Sequence, residues 1–246
     1  MKKILLVVSL FFLGNCFTVK PVYAETGIEV LRACAAAMNF DKLDEFNTLR
    51  MRASLLVQGQ RVGMRIMSKD DNLRFEQTMQ GRDEAFVLTA EEEFFRVKPH
   101  FELLRIEDAA QIVSTVTMLL PSMMLNAIIK SYDENEENLI IELIGVEDFN
   151  RKPSKKVRVA AKELPANAPP EAAEGSFYYF DPITNWLVGI DLTPQQSLVF
   201  ERKKRLQGYV YPTVIKLMVN GRAQLEFEIS RMEADMELND SLFARP

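Results

Sequence analysis

From Ala109 to Ile129 the chain reads AAQIVSTVTMLLPSMMLNAII, 21 residues without a charge between Asp108 and Lys130. A helix of that length can cross a bilayer, so the fate of this run decides between a membrane span and part of a folded core. Pro121 sits in its middle, where it removes a helical hydrogen bond. Gln111, Ser114, Thr115, Thr117, Ser122 and Asn126 lower its hydropathy. The segments on either side read as one continuous sheet, which a span would cut in two. The run therefore predicts two short helices broken near Pro121, carrying Met118, Leu119, Leu120, Met123, Met124, Leu125, Ile128 and Ile129. Two roles fit it: a core helix pair packed on a sheet, or a greasy plug that leaves when a lipid enters. Methionine, flexible and polarisable, suits both.

The N-terminus reads as a secretory signal, with Lys2 and Lys3, an apolar stretch from Ile4 to Leu13, and a small-x-small cleavage pattern at Val22-Tyr23-Ala24. A lipoprotein signal, Leu13-Gly14-Asn15 before Cys16, is the rival, and Asn15 fits it poorly. Cleavage after Ala24 makes residues 1–24 a signal peptide and 25–246 one domain, long enough to bury a core without staples. It removes three lysines and no acid, leaving 27 basic against 35 acidic residues, a formal charge of −8. No nucleic-acid partner is expected from that balance. Only Cys34 remains, so no internal disulfide is available, which suits a bacterial periplasm.

Thr26 with Glu29 forms a capping box, and Ile28, Leu31, Cys34, Ala35 and Met38 follow at helical spacing, predicting a helix over 27–38. Alternation then predicts strands. The first carries Leu49, Met51, Ala53, Leu55 and Val57; the second Val62, Met64 and Ile66; the third Leu73, Phe75, Gln77 and Met79. Residues 85–89 and 94–97 make two more, and the close spacing predicts antiparallel neighbours. Beyond the uncharged run, residues 131–138 are acidic and read as a solvated loop; a calcium loop would want glycine where Asn138 stands. Strands are predicted over 139–144 and 155–161 around a basic loop. A Pro/Ala/Glu-rich surface loop follows over 162–175. A hairpin over 177–180 and 186–192 turns at Asp181–Asn185, and strands over 198–204, 210–219 and 223–232 complete the chain.

The last hairpin allows a register test. A two-residue turn at Asn220-Gly221 pairs Leu217 with Gln224 and Ile215 with Glu226, apolar against polar. A three-residue loop, Val219-Asn220-Gly221, sets Leu217 against Ala223, Ile215 against Leu225 and Thr213 against Phe227. A one-residue slip turns every side chain to the other face, so burial selects the second, with a bulge and a left-handed Gly221.

His100 is the one histidine, which rules out a metal site built on several, and neither CxxC nor GxGxxG occurs. Cys34 lies on an apolar stripe and reads as a small buried hydrophobe. No motif joins a nucleophile to His100. The chain is thus not expected to be an enzyme, and no catalytic residue, metal ligand or cofactor is assigned. Arg202-Lys203-Lys204-Arg205 is the one strong basic cluster. It reads either as a solvated edge that discourages sheet-to-sheet pairing or as a docking patch for an acidic partner or anionic lipid.

About a dozen strands, an N-terminal helix and one apolar helical insert predict a mainly β fold with helices: a strongly curved antiparallel sheet with the insert over its concave face. Such a shape encloses an apolar cavity where side chains do not fill it. At this point the chain resembles the periplasmic outer-membrane lipoprotein-sorting proteins, LolA, LolB and their relatives. The resemblance is clearest in FYYFDPITNWLVGIDL and in GYVYPTVIKLMVNGRAQLEFEISRMEADMELNDSLFARP, with Pro212, the Asn220-Gly221 turn and the terminal Asp240-Ser241-Leu242-Phe243 box. The first half is similar in outline. The resemblance implies an unclosed β-barrel with a helical lid and an apolar cavity for acyl chains. One departure stands out: the lipoprotein carrier follows its second strand with a basic residue and a proline, whereas here Lys69 precedes Asp70 and Asp71. The role of that basic residue is not carried over.

The expected function is a periplasmic carrier, a transport chaperone that holds lipoprotein acyl chains or another lipid during outer-membrane lipoprotein sorting. The alternative is an envelope structural or stress-sensing protein of the same fold that works through protein contacts. Expected cavity walls are Leu49, Met51, Leu55, Val62, Met64, Leu73, Phe75, Trp186 and Val188, and expected lid contacts are Met118, Leu120, Met123, Met124 and Ile128. A monomer is expected, with a membrane-bound donor or acceptor protein as its second kind of partner.

Overall fold

The computed structural model describes residues 25–57, 59–135, 138–163 and 175–246. The signal segment, Glu136 and Glu137 of the acidic stretch, and most of the Pro/Ala/Glu-rich loop lie outside the described residues. The chain begins with α1 (Gly27–Met38) and α2 (Asp41–Asp44). Six strands follow: β1 (Thr48–Val57), β2 (Gln60–Lys69), β3 (Asn72–Met79), β4 (Arg82–Leu88), β5 (Phe94–Lys98) and β6 (Glu102–Leu104). A 3-10 turn (Ile106–Ala109) leads into α3 (Ala110–Leu119) and α4 (Pro121–Glu134). Then come β7 (Leu139–Phe149), β8 (Lys152–Ala161), β9 (Ser176–Phe180), β10 (Leu187–Thr193), β11 (Gln196–Leu206), β12 (Tyr209–Val219) and β13 (Arg222–Ala234).

Among the described residues these strands form one antiparallel sheet in the order β6-β5-β4-β3-β2-β1-β13-β12-β11-β10-β9-β8-β7. Every neighbour is consecutive in sequence except β1 beside β13. The meander is therefore joined at the two ends of the chain and left open between β6 and β7, and the chain passes from one free edge to the other through α3 and α4. The sheet must also curl. From β3 to β8 there are eight strand spacings in that order, about 38 Å if flat. Yet Phe75 of β3, Val157 and Val159 of β8 and buried residues of α1, α3 and α4 belong to one core cluster.

Thr26 caps α1 as the sequence indicates: its hydroxyl accepts from the Glu29 amide at 3.4 Å, and the Glu29 carboxylate accepts from the Thr26 amide at 2.7 Å. Ile28, Leu31, Cys34 and Met38 face the core. Gly27 is needed at the contact with β7, since a Cβ there would lie 2.9 Å from the backbone of Ile141 and Glu142. On the opposite face of the sheet a smaller cluster of Met67, Val87 and Phe95 is covered by Leu238 and Phe243. The C-terminal strap that brings these two is tied down by Lys69, which bonds Asp240 and the Leu238 carbonyl, and by Arg74, which donates to the Leu242 carbonyl at 2.6 Å. Lys69 thus has a structural partner.

Several elements differ from expectation. The basic loop between β7 and β8 shrinks to Asn150-Arg151, both left-handed (φ 48° and 64°), a tight hairpin turn. α4 continues to Glu134, so the first half of the acidic stretch is helical, and Asp133 pairs with Arg32 of α1. In the closing hairpin the two-residue turn is kept, with Val219 opposite Arg222 and Asn220 and Gly221 left-handed (φ 50° and 73°). An extra residue, Gln224, then shifts the ladder, so that Leu217 faces Leu225 and Ile215 faces Phe227. Burial did set apolar against apolar and Gly221 is left-handed, but the parity change comes from a bulge inside β13 rather than from a longer loop.

Candidate functional site

Leu120 leaves the helical conformation ahead of proline (φ −123°, ψ 69°), Pro121 occupies the first position of α4, and α3 and α4 meet at 95°. No single helix among the described residues is long and apolar enough to cross a membrane. The pair instead lies on the inner face of the sheet. Val116, Leu119, Leu120, Leu125 and Ile129 are buried in the same cluster as Met51, Met64, Phe75, Ile215 and Phe227. The trough of the curled sheet is thus occupied by the lid's own side chains and by α1.

One buried polar contact fastens the lid. Ser122 Oγ and Tyr209 OH are 2.5 Å apart, with Ser122 1% and Tyr209 0% exposed. Burial holds the Tyr209 phenol far above the ordinary tyrosine range, so it stays protonated. Other ties are the half-buried contact of the Tyr178 hydroxyl with the Met124 sulfur and exposed ones: Asp44 accepts from Asn126 at 3.2 Å and from Lys130 at 3.1 Å, and Arg32 meets Asp133. Exposed pairs of this kind contribute little. Beside α4 a shallow groove of about 520 Å³ opens to solvent, lined by Thr117, Met123, Met124, Ala127, Ile128, Ser131 and Leu139.

The structure brings most of the expected residues together. Leu49, Met51, Val62, Met64, Phe75 and Leu120 are buried in the inner cluster, and Leu55, Leu73, Met118, Met124, Ile128 and Trp186 pack half-buried against it. Two do not belong there. Met123 is 48% exposed, because the inward stripe of α4 runs through Ser122, Leu125 and Ile129. Val188 sits at an irregularity between Leu187 and Gly189 and lines a separate cleft with Val199. The lid fastener, Ser122 with Tyr209, was not anticipated; the two lie 87 residues apart and no local pattern links them.

Cys34 is fully buried beside the Met38 sulfur at 3.7 Å, and burial pushes its thiol up to about 12, which makes it a poor nucleophile. His100 is exposed, 3.3 Å from Arg96. Among the described residues no three His, Cys, Asp or Glu side chains group as a metal site.

No family model and no curated protein matches the sequence. Solved structures do align with it. An outer membrane lipoprotein-sorting protein domain, as it is described, from Vibrio parahaemolyticus aligns over 88% of this chain and 95% of its own, at 10% identity and a TM-score of 0.52. A LolA superfamily protein from Nitrosomonas europaea aligns over 89% and 98%, at 10% identity and 0.49. A DUF1329 family protein from Desulfovibrio piger aligns over 87% and 97%, at 14% identity and 0.44. The fold argument rests on the first: a mainly β, unclosed antiparallel sheet with helices on its inner face, the fold of that domain.

Proposed function

We propose that residues 25–246 form a single lipid-binding domain, exported to the periplasm, that carries lipoprotein acyl chains or another lipid as a monomer between membrane-bound donor and acceptor proteins. The observation that supports this reading is an uncharged, proline-broken helix pair packed into the trough of an open sheet, joining its two free edges. The lid's side chains stand where an acyl chain would lie. The exchange is close to balanced. Uncovering Val116, Leu119, Leu120, Leu125 and Ile129 costs about 1.5–3 kcal/mol each. A chain of about sixteen methylenes returns about 0.8 kcal/mol per methylene on burial. A near-balanced exchange suits a carrier, which must also let go. The fold shared with a domain described as lipoprotein-sorting supports the same reading.

Met124 tests it. This half-buried residue packs on the inner cluster, and its sulfur accepts from Tyr178 OH at 3.8 Å. In a folded Met124→Asp variant, binding of a fluorescent fatty acid should be lost, because the chain would have to bury an unpaired carboxylate. A folded variant that binds the probe as well as the parent protein would remove the lid from the binding site.

A further inference from the structure

A second cleft lies away from the lid fastener and takes in two of the expected cavity walls, Trp186 and Val188. It exists because β11 outruns its neighbour. Pairing with β10 extends only to Val199, whereas β11 continues to Leu206. The basic run 202–205 is therefore not on an edge strand, which was one of the two readings the sequence offered, but on the overhang of an interior one, held from the β12 side. The overhang, the turn between β9 and β10 and the start of β8 bound a cleft of about 640 Å³.

Local chemistry shapes its walls. Asp181 accepts from the amides of Ile183 at 3.0 Å and Thr184 at 2.7 Å, which holds its carboxyl below the usual range. Asn185 is left-handed (φ 56°), and the chain returns at Trp186. On the far side the Phe149 ring stacks on Tyr179 at 4.2 Å and fills the space left by Gly189, where a Cβ would come within 2.0 Å of it.

The charges do not balance. Lys152, Arg202 and Lys203 line the cleft, and among the described residues none has a carboxylate within ion-pair distance. Glu201 is engaged by Lys216 at 2.8 Å, and Asp181 by the two amides. Lys203 Nζ lies 3.6 Å from the centre of the Trp186 ring. Half-buried, the lysine is pushed down to about 8 by loss of solvation, which the Asp181 charge opposes and the Lys152 charge assists. A protein with a formal charge of −5 thus gathers three cations beside its one tryptophan, in a cleft that also holds the carboxylates of Asp181 and Glu201.

We propose that this cleft binds a phosphoryl anion, with Lys203 as its direct contact, Lys152 and Arg202 as flanking charges and Trp186 as the apolar wall. Three cations facing two carboxylates, with no ion pair between them, suit an anion with several acceptor oxygens better than a lone carboxylate. The phosphoryl group could belong to a lipid headgroup or to free phosphate, and the site does not depend on the lid reading.

Because the tryptophan is unique, its emission reports on the cleft. Titration with inorganic phosphate should give a saturable change that sodium chloride of equal ionic strength does not reproduce. Lys203→Met should weaken it about tenfold or more, as loss of a charged hydrogen bond implies, and Lys203→Arg should restore it to within about threefold. Should Lys203→Met fail to fold, the exposed pair Lys152→Gln and Arg202→Gln makes the same comparison. A short-chain phosphatidic acid held below its micelle concentration separates the sources: affinity about equal to that of phosphate assigns the free anion, and affinity about tenfold tighter assigns a headgroup. No saturable change with either probe, or an unchanged one in the charge variants, overturns the site. Fatty-acid binding by Lys203→Met keeps the two readings apart, because it fails only with the lid.

Discussion

The fastener between Ser122 and Tyr209 offers a way to tell a lid from a permanent core. The two hydroxyls meet at 2.5 Å in a place that water does not reach. Ser122→Ala leaves the Tyr209 hydroxyl buried without that partner, which costs about 1–3 kcal/mol. Opening the lid would let water satisfy it, so the cost falls on the closed form alone. A lipid that binds only the open form then gains what the closed form loses, and its apparent dissociation constant should fall about 5- to 150-fold. The double variant Ser122→Ala with Tyr209→Phe removes both polar groups, which is close to neutral, and should return affinity most of the way to that of the parent. The assay pairs a fluorescent fatty-acid titration with urea unfolding of all three proteins. If Ser122→Ala loses stability while probe affinity stays the same or weakens, the helix pair is core and does not gate lipid.

Gly189→Ala should cost about 1–3 kcal/mol in urea unfolding through overpacking, and Phe149→Ala in the same chain should relieve most of the added strain; additive losses would refute the clash with the Phe149 ring. Lys203, pushed down from 10.5 to about 8 by burial, binds fewer protons folded than unfolded between those values, so its stability penalty is full below about pH 7 and fades as the pH rises through 8 to beyond 10.5. The stability of the parent relative to Lys203→Met should therefore rise across that window, and a constant gap would refute the depressed value. Cys34, raised to about 12 and fully buried, should react with a thiol reagent only as fast as the protein unfolds; rapid labelling under native conditions would show that α1 opens on its own.

Where one face of a strand is buried and the other wet, the period of two is visible in the residues, and β1 to β4 were legible for that reason. The Pro121 break was legible because proline acts locally. The far ends of β7 and β8 were not, since Glu147 and Asp148 are exposed on successive positions and the alternation disappears at a hairpin tip. β6, three residues long, is too short to show a period. The closing hairpin shows how far burial alone reaches. It fixed which side chains share a face but not where the extra residue sits, because a bulge at Gln224 and a longer loop change parity equally. Val188 was misplaced by the same device in β10. Met123 was misplaced because a run without charged residues has no polar face to mark the outward side.

The lid's position in the topology bears on how it would work. Had β6 paired with β7, the meander would close and any entering chain would have to break backbone ladders. Instead the seam falls where the connection carries α3 and α4. Both exposed edges are guarded against pairing with other chains: β6 by its brevity, β7 by outward acids such as Glu142 and Glu147, which pair with Arg158 and Lys156. Opening at this seam therefore leaves every strand pair intact. Its cost would fall mainly on apolar packing, which an acyl chain can replace methylene for methylene, and on the buried hydrogen bond of Ser122 with Tyr209, which it cannot replace. On the proposed carrier reading, packing would decide whether lipid enters, and the hydroxyl pair would decide how firmly the empty form stays shut.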